Sequence, residues 1–275
     1  MFRALAALFG YYLAVAMIAV PLTLAVPAAW QAGPFGIAAQ TIPLVVGALF
    51  VNALLVRQRL ADWEMLGWAG PSRSPLAFGR GVGLGLVMAL GALLFAVAFG
   101  SAGLQLTGGP LTAFLVVALP VVVGLAAAAL AEELLFRGFP LARLARAAGK
   151  AGASVALAVV FAVAHLGNPE ATPLGLVNIG LASLVLSAAF FTPGGLPAAW
   201  GVHLGWNAGL GVGADAPVSG IALELPLLEF RTGGPSWVTG GAFGPEGGLA
   251  ATVAMGLALI WLTRRVAGAG EGDAT

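Results

Sequence analysis

The chain has 275 residues, of which 60% are hydrophobic and only 8% charged, and its formal net charge is +1. Soluble domains carry about 25% charged residues, so this composition excludes an ordinary soluble domain and gives no footing for a nucleic-acid partner. The absence of cysteine removes disulfides, thiolate metal sites and a cysteine nucleophile.

The charges fall outside long apolar runs. None lies between Ala4 and Val56, Gly81 and Ala131, Ala151 and Pro169, Ala171 and Ala214, or Gly247 and Thr263. A membrane-spanning helix needs roughly 20 apolar residues, and Gly and Pro mark where the longer runs divide. Eight spans are predicted in chain order, at about 4–29, 40–56, 81–103, 111–137, 151–167, 173–191, 196–213 and 248–264. Helix is the expected state, because an open strand in lipid leaves backbone groups unsatisfied and the runs lack the alternation of a barrel strand. The fold class is therefore an all-α, polytopic membrane bundle forming a single membrane domain.

The connections set its orientation. Arg57, Arg59, Arg73 and Arg80, then Arg137, Arg143, Arg146 and Lys150, then Arg264 and Arg265, share one side with Arg3. The other side receives Arg231 among Asp215, Glu224, Glu229 and Glu246. The positive-inside rule places both termini in the cytoplasm. The first span resembles a signal peptide, but its apolar stretch is longer than a typical one, and it reads as an uncleaved helix. The 57–80 segment is amphipathic and suits the membrane interface. The 214–247 segment is a long external loop, rich in Gly and Pro, whose "LELPLLEF" (223–230) alternates partly and can pack over the bundle.

Ionisable groups inside a membrane are costly, and each is a functional candidate. Glu132 and Glu133 end the fourth span, His165 ends the fifth, and His203 and Asn207 lie in the seventh. The chain has only two histidines, and both fall in apolar helices. Residues four apart share a helix face. His203 and Asn207 can therefore enter one cavity, and Glu133 can pair with Arg137. Glu132 points about 100° away from Glu133, so one carboxylate can be held while the other stays free. Two adjacent carboxylates in a poorly polar setting do not ionise together easily, which suits one of them to general acid–base work.

Two chemistries use this set, and both hydrolyse an amide. Glu132, His165 and His203 make a plausible zinc donor set, although no His-Glu-x-x-His is present. In the metal-free alternative, Glu132 and His165 hold and deprotonate a water while His203 and Asn207 donate to the oxyanion. Intramembrane Glu and His also serve proton-coupled transporters, and a non-catalytic scaffold or immunity protein is a further alternative. The transporter reading calls for internal repeats, which the chain does not show.

The three motifs "EELLFR" (132–137), "FAVAH" (161–165) and "HLGWN" (203–207), in that order, resemble the CPBP (Abi) family of intramembrane proteases. Type II CAAX prenyl proteases and bacteriocin-processing enzymes are relatives of that family. The resemblance covers about 110–213, the expected catalytic core. It implies an intramembrane endopeptidase acting on a membrane-associated or lipidated protein or peptide, in a multi-pass integral membrane protein, of the cell membrane if prokaryotic. By position it makes Glu132 the water-activating base assisted by His165, Glu133 a supporting carboxylate, and Arg137 its structural partner. His203 and Asn207 take the oxyanion role and Phe161 a packing role. The family has been read both as metalloprotease and as metal-free glutamate protease, so a divalent metal such as zinc stays open. One conflict stands out. With 1.5 Å rise per residue, Glu132 sits near the cytoplasmic face and His165 about 22 Å deeper. Their convergence requires a bend at Pro120 or Gly124, or a deeply placed "RGFPLAR" (137–143).

Overall fold

The computed structural model describes residues 1–68, 70 and 72–272. Eight long helices carry it: α1 (Phe2–Leu24), α2 (Gly36–Arg57), α3 (Ser74–Gly100), α4 (Leu111–Phe136), α5 (Phe139–Ala164), α6 (Pro173–Phe190), α7 (Gly195–Gly211) and α9 (Leu249–Gly272). A one-turn α8 (Ser236–Thr239) precedes the last. Among the described residues, six stretches are long and apolar enough to cross a membrane, and one of them, Leu111–Ala164, contains both α4 and α5. The outer faces are apolar: on α1, Phe9, Leu13 and Met17 are exposed, and on α5, Val155, Val159 and Val163. Such continuous apolar surface is tolerated where lipid, not water, is the solvent.

The helices form a closed neighbourhood. α2 packs on α1 and α4, α4 on α7, α7 on α3, α3 on α9, α9 on α6, and α6 on α5 and α7. The most extensive pair, α3 with α7, is built on glycine. A Cβ on Gly81 or Gly85 would run into the backbone of α7, and one on Gly201 or Gly205 into that of α3. Small residues let membrane helices approach closely where no hydrophobic force drives them together. Because the glycines of α7 face α3, His203 and Asn207 face the other way.

Several element boundaries differ from the sequence-based expectation. The first helix ends at Leu24, and a 3-10 turn, Ala28–Trp30, follows Pro27. α3 begins at Ser74, so Arg80 belongs to a helix and not to a loop. A two-stranded antiparallel sheet, β1 (Gly103–Gly108) with β2 (Leu227–Arg231), joins the end of α3 to the 214–247 loop. β1 was not expected; its residues are too few and too exposed to announce themselves beside an apolar helix.

The largest departure lies between α4 and α5. The chain does not turn back at Arg137. It continues as helix through 139–148 and reverses at Gly149, whose φ of 75° and ψ of 162° break α5 into two pieces. The 139–148 piece is about 15 Å long at 1.5 Å per residue. The returning piece passes the end of α4 at Phe161, whose ring meets Phe136 edge-on with centroids 4.9 Å apart. With the chain broken at Gly149 and not at Arg137, Glu132 and His165 line one cavity.

Candidate active site

A helix that ends inside a bundle leaves its last carbonyls without intrahelical partners. At the end of α4 these are satisfied from several directions. Arg137 N and Gly138 N both donate to the Glu133 carbonyl. Tyr11 Oη of α1 donates to Leu134 O at 3.1 Å, and Tyr12 Oη to Leu135 O at 2.8 Å. The chain's only two tyrosines thus cap the helix that carries both glutamates.

Arg137 is fully buried, so it does not belong with the surface cations counted for orientation. Its Nη1 lies 3.3 Å from Glu133 Oε1, its Nη2 donates to Ser183 O of α6 at 3.3 Å, and its guanidinium sits 4.6 Å from the Phe161 ring centroid. One side chain ties α4, α5 and α6 together. Phe161 also packs against His165, with centroids 4.5 Å apart and the rings tilted by 48°.

The two glutamates have different surroundings. Glu133 has no exposed side-chain area, and its Oε1 also accepts from His203 Nδ1 at 2.9 Å. Glu132 keeps a third of its side chain exposed, and its Oε2 stands 3.7 Å from His203 Nε2. His203 thus lies between the carboxylates, one nitrogen hydrogen-bonded and the other facing the free oxygen. His165 Nδ1 donates to the Phe161 carbonyl at 2.7 Å, which leaves Nε2 as the acceptor nitrogen. Asn207 is buried, one turn beyond His203, and its amide makes no hydrogen bond among the described residues.

These groups share one cavity of about 210 Å³, lined by Glu132, His165, His203 and Asn207 among apolar side chains such as Leu125 and Ile179. Trp200 Nε1 donates to Ala126 O at 2.8 Å and fixes the register of α7 against α4.

Glu246, Ser219 and Asn168 also line the cavity, and Asn178 supports them from behind. Glu246 was counted with the external charges, yet it is 3% exposed and lines the cavity. Its Oε1 accepts from Trp206 Nε1 at 2.8 Å, and its Oε2 from Ser219 N and Ser219 Oγ. Asn178 Nδ2 donates to Glu246 O and Gly248 O. Asn168 Nδ2 donates to Ser219 O at 3.0 Å. The 214–247 loop is therefore latched onto the bundle, with Phe243 and Ala216 buried beneath it. In the same loop Asp215 accepts from Leu225 N. Partial burial lifts its carboxyl above its ordinary value against that hydrogen bond, helped by Glu229 and Glu224.

Glu132 Oε2 and His203 Nε2 are close, but among the described residues no group of three His, Asp or Glu side chains converges tightly enough to hold an ion. The Nδ1 of each histidine is hydrogen-bonded, which leaves each Nε2 open to a ligand; it is the lack of convergence of the three side chains that tells against an ion. The set as arranged does not fit a three-ligand zinc site.

Fold and cavity together define a multi-pass integral membrane protein with carboxylates, imidazoles and an amide gathered between its helices. A family model described as Type II CAAX prenyl endopeptidase Rce1-like matches residues 112–209. The matched segment, about a third of the chain, is similar to that family and carries Glu132, Glu133, His165, His203 and Asn207. No curated protein and no solved structure matches it.

Proposed function

We propose that the chain is an intramembrane endopeptidase that hydrolyses a peptide bond of a membrane-associated or lipidated protein, with Glu132 as the catalytic base. The observation that carries this reading is the unequal pair: Glu133 is immobilised by Arg137 and His203, while Glu132 reaches the cavity free of protein hydrogen bonds.

In this mechanism Glu132 and the unprotonated His165 Nε2 hold a water between them. Glu132 takes its proton as the oxygen attacks the substrate carbonyl. The oxyanion receives hydrogen bonds from Asn207 Nδ2 and from His203 Nε2–H. The His203 role uses the imidazolium form, in which Nδ1–H donates to Glu133 and the positive charge stands between two carboxylates. Donors preset for a developing oxyanion are commonly the largest single contribution to such catalysis, about 3–4 kcal/mol for one donor. Glu132 then passes its proton to the leaving amine. Arg137 and Phe161 touch no reacting atom; they position Glu133 and His165.

The substrate class is tested by comparing new protein termini in membranes of cells expressing wild-type chain or Glu132→Ala. The proposal expects termini present only with the wild type, mapping beside lipid anchors or membrane segments. Identical termini in both samples contradict it.

A further inference from the structure

A second cavity, of about 570 Å³, opens on the arginine-rich face, between the start of α3, the α6–α7 turn and the end of α9. Arg73, Arg80 and Arg265 line it, with Thr192 at the turn. No Asp or Glu lines it among the described residues, and none of the three arginines has an acidic partner there. Arg265 rests over the Trp261 ring at 4.2 Å, which restrains one guanidinium at the rim. Deeper in, the walls become apolar, with Leu84 and Val202.

Three uncompensated guanidiniums repel one another. They become favourable together when an anion occupies the space between them, and the fork of an arginine matches phosphate geometry. The apolar floor beneath the charges suits a molecule that is anionic at one end and hydrocarbon at the other. Basic pockets between membrane helices have this form when they hold lipid headgroups. We propose that this cavity binds a phosphate group, presented by an anionic phospholipid whose acyl chain follows the apolar wall between α3 and α9. Val202 lines both this cavity and the catalytic one, which sets the lipid one residue from His203.

The test uses the purified full-length chain in nanodiscs of phosphatidylcholine with a minor fraction of phosphatidylglycerol, and mass spectrometry of the lipid retained after exchange into neutral detergent. Wild type should retain phosphatidylglycerol selectively. Each arginine near a lipid surface contributes about 1 kcal/mol, or about fivefold in affinity. R73Q, R80Q and R265Q are expected to lose about that factor singly, and about a hundredfold together. R73K, which keeps the charge and loses the fork, should bind more weakly than wild type and more tightly than R73Q; R73K no tighter than R73Q would contradict the charge contribution. The triple variant R57Q/R59Q/R146Q, which removes as many charges outside the cavity, should bind as wild type does. Equal loss in both triple variants would show diffuse surface attraction and overturn the site, as would retention in R73Q/R80Q/R265Q. Inorganic phosphate at millimolar concentration should not displace the lipid; displacement would reject the lipid as the source in favour of a soluble phosphate. The single variants keep the test decisive should the triple variant fold poorly.

Discussion

His203 Nδ1 lies 2.9 Å from Glu133 Oε1, the same oxygen that Arg137 approaches at 3.3 Å. A buried carboxylate shared by a guanidinium and an imidazole is an organising element, and its neighbour in sequence, Glu132, is the base that we propose. Removing one partner of a buried ion pair costs about 3–5 kcal/mol, because the other charge is stranded. Glu133→Gln is expected to destabilise the bundle by that order and to depress hydrolysis through misplacement of His203. Thermal unfolding in nanodiscs checks the first effect. Glu132→Gln, at a third-exposed side chain, should unfold as the wild type does; equal destabilisation by both would contradict the division of roles.

The tyrosine caps give a second expectation. Tyr11→Phe and Tyr12→Phe each remove one donor from the carbonyls at the end of α4. A lost hydrogen bond that leaves a buried acceptor unpaired costs about 1–3 kcal/mol. Tyr11 is the more buried of the two, so Tyr11→Phe should cost more. Chemical denaturation compares them, and a double variant no less stable than wild type would refute the capping role.

Gly149 lies in open space, with nothing within 4 Å of a built Cβ. Any penalty for Gly149→Ala is therefore conformational. Its backbone angles fall in a region almost reserved for glycine, where another residue costs about 1–3 kcal/mol. Gly152→Ala, three residues on in regular helix and meeting only ordinary contact, is expected to stabilise by up to about 1 kcal/mol. Opposite signs for these two neighbours in thermal unfolding would establish Gly149 as the turning point.

Glu246→Ala would leave Trp206 Nε1 and Ser219 N without their acceptor. The buried Trp206 donor so stranded costs about 1–3 kcal/mol, the half-buried Ser219 less, and the loosening is expected in the 214–247 loop. Hydrogen exchange should show faster amides across that loop and unchanged protection in α3 and α7. Unchanged exchange in the loop would mean that the latch lies elsewhere.

How much of this was legible beforehand follows from what each residue interacts with. The apolar runs and their Gly and Pro breaks located the long helices, because lipid imposes length and composition on each helix separately. Glu133 and Arg137 were legible as a pair because i and i+4 is a local relationship. The reversal at Gly149 was not: Arg137 looks like a surface cation in sequence, and only its contacts with Ser183 and Phe161, far along the chain, show it buried. Glu246 was missed for the same reason, since "GPEGG" (244–248) has no periodicity and its partners come from α6, α7 and the loop. Tyr11 and Tyr12 carried a usable signal. As the only tyrosines, adjacent in an apolar helix, they deserved the weight given to the two histidines.

The most direct test of the central claim is the single-turnover cleavage rate of the substrate found in the membrane comparison, with wild type and Glu132→Gln reconstituted in liposomes at equal folded fraction. General acid–base groups contribute about 10²–10⁴-fold, and the account predicts a loss in that range with substrate binding retained. A Glu132→Gln rate within about threefold of wild type, far short of that contribution, would contradict it.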